Sequence, residues 1–108
     1  MEDKYKKPIK MFVDRAFKKY SGVIDEMILF GSVATGHAKN DSDIDILVVT
    51  DVDDFKVEKD LIGMAFEVLL KTGEDISVKV ISHRDHENMI KMNTSFIRNI
   101  ISDGVKLG

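Results

Sequence analysis

Two aspartates, Asp43 and Asp45, flank Ile44 at the start of an apolar run that continues through Ile46, Leu47, Val48 and Val49. In a strand, residues two apart point to the same face, about 6.5 Å apart along the backbone. The two carboxylates can therefore reach toward one shared point, while Ile44, Ile46 and Val48 point the other way into a core. Acids held side by side repel each other, and burying either is unfavourable. A divalent cation between them removes the conflict, and hard oxygen donors with open positions suit Mg²⁺. Upstream, an apolar segment ending at Leu29 and Phe30 runs into Gly31-Ser32, with Gly36 shortly after. Such a turn offers unobstructed backbone N–H groups and a hydroxyl, the donors that bind a polyphosphate. A phosphate cradle followed by a carboxylate metal site points to phosphoryl or nucleotidyl chemistry.

Other motifs built from the same residue types do not fit. An EF-hand starting at Asp41 needs glycine at its sixth position and glutamate at its twelfth, where this chain has Ile46 and Val52. A Walker-type loop needs Gly-Lys-Ser/Thr after the turn, and none follows. A solvated hairpin would account for acids at a strand end, but not for the Gly-Ser turn in front of them.

Gly31-Ser32, Gly36 and Ser42-Asp43-Ile44-Asp45 spell G-S-x-x-x-G followed by S-D-x-D. This pattern resembles the core motif of the DNA polymerase β-like nucleotidyltransferases. Within that superfamily the chain resembles the minimal nucleotidyltransferases of prokaryotes, loosely over nearly its whole length. The family turn often reads Ala-Arg-Gly, where this chain has Ala34-Thr35-Gly36. The resemblance implies Mg²⁺-dependent transfer of a nucleoside monophosphate, AMP from ATP, to an acceptor hydroxyl. It places Gly31, Ser32, Gly36 and Ser42 at the nucleotide, and Asp43 and Asp45 on Mg²⁺ as catalytic acids. In the family a third acid, on a later strand, holds the catalytic ion and helps activate the attacking hydroxyl. Aligning the third strand puts Lys79 at that position; Asp75, on the same strand face, takes the role if the strand is shifted by one step. Lys79 would then bind a phosphate, or offset the charge of Asp43 and Asp45. The resemblance also implies a HEPN-type helical partner, with this chain as the antitoxin of a toxin–antitoxin pair. A rival reading stays open: an impaired member that binds nucleotide or neutralises its partner by contact.

Composition bounds these readings. A chain of 108 residues with 44% hydrophobic content reads as one domain spanning 1–108 with a single core. The net charge of −3 gives no basic field for bulk DNA or RNA. The absence of cysteine excludes disulfides and thiolate zinc sites. No apolar run reaches membrane-spanning length, and the first ten residues lack an apolar signal core, so the expected location is cytoplasmic.

The elements that must position the motif follow from periodicity. Pro8 reads as the first turn of a helix whose apolar face is Ile9, Phe12, Val13, Ala16, Phe17 and Tyr20, ended by Ser21-Gly22. Strands are predicted over 23–30, 42–50 and 76–82, with a short helix after Ser32 and a longer one over 56–71. Ser82 and Asp85 read as the cap of a helix running to 93, and Thr94 or Ser95 starts a last one ending before Gly104. His37, His83, His86 and Arg84 read as surface residues. The resulting fold class is α+β: a small mixed sheet with helices packed on one face and the acids on the other, the polymerase β-like core. Ile62, Phe66 and Leu70 widen the apolar stripe of the 56–71 helix, and with the segment from Phe96 to Ile101 this exceeds what one sheet face would cover, which predicts a homo-oligomer or a helical partner.

Overall fold

The computed structural model describes residues 3–108. Helix α1 (Asp3–Tyr20) leads into β1 (Ile24–Phe30), the single-turn α2 (Gly31–Thr35) and β2 (Ile44–Thr50). Then follow α3 (Phe55–Thr72), β3 (Ile76–Ser82), α4 (His83–Met92), α5 (Ser95–Asp103) and β4 (Val105–Leu107). The predicted α+β class and mixed sheet are what form. Strand order is β3-β2-β1-β4, with β1 antiparallel to both β2 and β4, and β2 parallel to β3. The β1–β2 pair needs only the connection that carries the candidate site. The parallel β2–β3 pair needs a crossover, and α3 supplies it.

Alternation along the strands sorts the apolar residues onto two faces. Met27, Leu29, Ile44, Ile46, Val48 and Ile76 face α1 and α3 in the main core, with Phe12, Ala16, Leu61 and Val68 from the helices. Ile28, Leu47 and Val49 face the other way, with Ile100 of α5 and the flanking Phe30, Ile81 and Phe96. The two long helices thus lie on one face, as the sequence predicts. The opposite face is shared: α5 covers one part of it, because Phe96, Ile97 and Ile100 need burial of their own, and polar residues hold the rest.

Helix α1 starts earlier than its proline suggests. Pro8 is buried in the helix rather than at its first position, because Tyr5 belongs to the same stripe as Pro8, Ile9, Phe12, Val13 and Ala16. Burying that aromatic extends the helix one turn upstream, against the proline's missing N–H. Of the other helices, α2 has no side-chain cap and three do. Asp54 accepts the Lys56 N–H, Ser82 accepts that of Asp85, and Thr94 accepts that of Ile97. No helix among the described residues is long and apolar enough to cross a membrane.

Candidate functional site

The candidate site lies where β1 ends and β2 begins. Antiparallel register pairs Phe30 with Asp45, so the turn after β1 stands directly beside the first acids of β2. Gly31 opens that turn with φ of +76°, a conformation other residues adopt only with strain. A Cβ added to Gly31 would collide with Oδ2 of Asp45. Two separate demands, backbone and space, therefore fix glycine here. Gly36 ends α2 in the left-handed conformation, and its N–H bonds back to the Ser32 carbonyl. The Ser32 hydroxyl has no recorded protein partner among the described residues, and the first backbone N–H groups of α2 lack helical acceptors.

From Gly36 the chain returns to β2 through a tied loop. Lys39 N–H donates to the Ser42 hydroxyl at 2.7 Å, and Ser42 N–H donates to the Lys39 carbonyl at 3.0 Å. Ser42 thus closes the turn that delivers Asp43. The Tyr5 hydroxyl of α1 donates to the Lys39 carbonyl and anchors the loop to the helical layer. Asp43 is exposed, while Asp45 is half-buried. Burial raises the Asp45 pKa above its ordinary 3.8, the charge of Asp43 adds to the rise, and Lys79 opposes it.

Strand β3 supplies the next residues. The parallel register sets Ser77 opposite Asp45 and Lys79 opposite Leu47, so both share the face of Asp45. Lys79 is thus one pair further along than the position beside Asp45. Its Nζ lies over the Phe96 ring, 4.8 Å from the centroid, and Phe96 meets Phe30 edge-on with centroids 5.5 Å apart. Asp75 precedes β3; its carbonyl accepts the Ile44 N–H at 2.9 Å. It also lines an open groove of about 340 Å³ with Asp43, Ile62, Phe66, Ser77 and Val78. Among the described residues no group of three or more Asp, Glu or His is placed to hold a metal. The donor set present fits a single divalent ion: two carboxylates, one destabilised in its charged form by burial and by its neighbour until a cation arrives.

Seven of the eight candidate residues lie on or just before the adjoining ends of β1, β2 and β3 or in the connection between β1 and β2, and Lys79 lies in the middle of β3. Gly31 and Asp45 approach most closely. Ser42 and Gly36 act on the backbone that carries them, and Asp75 and Lys79 flank the acid pair on β3. Sequence reasoning missed Ser77, Phe30 and Phe96. The alternation of β3 was a signal for Ser77, but register was needed to pair it with Asp45. Phe96 reads from sequence only as one more apolar residue on a terminal helix.

A small-residue turn is seated against a strand-borne acid, on a mixed sheet backed by helices. The chain belongs to the nucleotidyltransferase-domain family, whose sequence model matches residues 9–107. It is 42% identical over 99 residues to "Putative protein adenylyltransferase MJ0604" of Methanocaldococcus jannaschii, covering 91% of this chain and 92% of that protein. Among solved structures it is similar to a toxin–antitoxin with AMP-PNP, at 21% identity and a TM-score of 0.56, over 90% of this chain and 70% of that one. A mutant of the toxin–antitoxin MntA-HpeT gives 19% identity and a TM-score of 0.55, over 89% and 69%. These two likenesses establish the shared fold.

Proposed function

We propose that this chain binds ATP with Mg²⁺ and transfers AMP to a hydroxyl of a partner protein. The observation that carries this reading is the seating of Asp45 against Gly31, which supports a carboxylate acting beside a phosphate-binding turn. The relative named as a protein adenylyltransferase, at 42% identity over nearly the full length of both chains, supports a protein acceptor. The family resemblance supports a HEPN-type helical partner, with this chain as its antitoxin.

In this reading Gly31 and Ser32 hold the β- and γ-phosphates through backbone N–H groups and the serine hydroxyl. Asp43 and Asp45 hold Mg²⁺, which when bound neutralises charge on the triphosphate. The acceptor oxygen forms a bond to the α-phosphorus, and the bond from that phosphorus to the oxygen bridging to the β-phosphate breaks. The bonding pair leaves with pyrophosphate. The acceptor proton passes to a carboxylate of the groove, for which Asp75 is the candidate. Gly36 and Ser42 keep the turn and the loop in the shape that presents these groups.

A second reading has its own observation. Ser77, not an acid, stands opposite Asp45, and no third carboxylate completes a metal group among the described residues. A chain that binds nucleotide and neutralises its partner by contact fits that arrangement. Incubation with α-labelled ATP, Mg²⁺ and the protein encoded beside it separates the two. Label appearing on the partner, and lost in the Asp43→Asn/Asp45→Asn double variant, establishes transfer. A stable unlabelled complex that survives the double substitution establishes neutralisation by contact.

A further inference from the structure

Lys79 stands out on the open face of the sheet. Its side chain makes no salt bridge with any described residue, although Asp45 lies on the same face, one register pair away. Its recorded contact is the Phe96 ring. That ring is itself packed: Thr94 caps α5, Phe96 lies against the cluster that holds Ile100, and Phe30 meets it edge-on at an interplanar angle of 85°. A lysine ammonium on a flexible stem carries considerable rotamer freedom, and an aromatic platform restricts it without neutralising its charge. The result is a cation held beside the acid pair and left free to meet an anion.

The site also has an unmet electrostatic need. Nucleotidyl transfer by two ions depends on shared carboxylates; here Asp43 and Asp45 form the pair on β2, and Asp75 lines the groove from the residue before β3. On β3, Ser77 and Lys79, which share the face of Asp45, supply no negative charge. We infer that Lys79, positioned by Phe96, is the resident second cation of the phosphate subsite, doing with a fixed ammonium what a second divalent ion would otherwise do. This rests on the proposed nucleotide site and adds to it a phosphate-contacting residue, Lys79, and a positioning residue, Phe96. It assigns the lysine a working role, where alignment with the family strand would treat it as a lost acid.

The consequence is a contribution to ATP binding that does not need Mg²⁺. The test is calorimetry of ATP and of adenosine in EDTA, on wild type and on Lys79→Met, Lys79→Arg, Phe96→Leu and Phe96→Tyr. Lys79→Met should weaken metal-free ATP binding by at least about tenfold, the range for loss of a charged hydrogen bond, with adenosine unaffected. Lys79→Arg should stay within a few-fold of wild type, since charge is kept. Phe96→Leu should fall between wild type and Lys79→Met, and Phe96→Tyr should restore the wild-type value, because it returns the ring. Lys79→Asp adds a second readout, pyrophosphate release with Mg²⁺ and the partner present: the inference expects a loss. A gain in Lys79→Asp, or wild-type ATP affinity in Lys79→Met, overturns it and leaves Asp43 and Asp45 as assigned. Failure of wild type to bind ATP with Mg²⁺ overturns the nucleotide site itself, and the inference with it.

Discussion

Asp45 Oδ2 occupies the space that a Cβ on Gly31 would need. The glycine is thus part of the acid site, although it carries no functional group. Gly31→Ala faces that collision as well as a φ of +76°, and either Asp45 or the turn must shift. Mg²⁺-dependent ATP binding should fall at least tenfold by calorimetry, on the order of 1.4 kcal/mol or more. Gly73→Ala, at the end of α3 and outside the site, is the control. Its φ is +79° but nothing lies within 4 Å of the added Cβ. It should lower stability by about 1 kcal/mol through backbone strain and leave ATP affinity nearly intact.

Asp45 is held at a cost that its function explains. Burial and then Asp43 raise its pKa above 3.8. A raised folded pKa stabilises the fold below the unfolded value, and that contribution is lost as pH rises through the folded one. At neutral pH the ionised carboxylate is therefore a liability in the metal-free protein. Asp45→Asn should melt at the same temperature as wild type or higher in EDTA. Addition of Mg²⁺ with ATP should raise the melting temperature of wild type and not of Asp45→Asn.

Much of this is legible in the sequence. The alternation of Ile44, Ile46 and Val48 against Asp45, Leu47 and Val49 fixed which side chains share a face, and Gly31-Ser32 placed the turn. The caps at Ser82 and Thr94 follow from local hydrogen-bonding chemistry, so residue type alone reveals them. What escaped depends on register between distant segments. Nothing in the spacing of Ile76 to Ser82 says that Ser77, rather than Lys79, meets Asp45. The Phe96 contact joins α5 to β3 across intervening chain, and periodicity carries no information about such a meeting. Pro8 misled for a related reason: burial of Tyr5 outweighed a local preference.

The two long helices are joined by a polar knot that should shape the pH dependence of stability. Tyr20 O–H donates to Asp60 Oδ2 at 2.5 Å, and Lys19 pairs with the same oxygen. The Lys19 hydrogen bond, then that of Tyr20, lowers the Asp60 pKa below 3.8. Hydrogen bonding to Asp60 raises Lys19 above 10.5 and Tyr20 above 10.0. The Asp60 contribution is present above pH 3.8 and lost as pH falls through its lower folded value. Those of Tyr20 and Lys19 are present below 10.0 and 10.5 and lost as pH rises past their higher folded values. Tyr20→Phe should cost about 0.5–1 kcal/mol at pH 7 and weaken both slopes. Urea melts at pH 3, 7 and 10.5 check this; a uniform loss at all three would assign Tyr20 to packing alone.

Helix α3 leaves Ile62, Phe66 and Leu70 exposed at 50, 57 and 70%, beside the open edge of β3. These residues recur every four positions, so they form one stripe along the helix. Three large apolar side chains in a row favour association, and an unpaired strand edge next to them offers backbone donors and acceptors. Ile62 and Phe66 also line the groove that holds Asp43 and Asp75, so a protein bound on the stripe would sit within reach of the acids. Phe66→Glu places a charge in the middle of the stripe without touching the buried face of α3, whose residues are Val57, Leu61, Met64, Ala65 and Val68. It should leave the melting temperature within a few degrees of wild type and weaken self-association or partner binding by at least tenfold, about 1.4 kcal/mol. Sedimentation of both proteins, alone and with the partner, reads the outcome. If wild type is a monomer that binds its partner as tightly as Phe66→Glu does, the stripe is not the contact surface, and the acceptor must approach the acids from the α5 side.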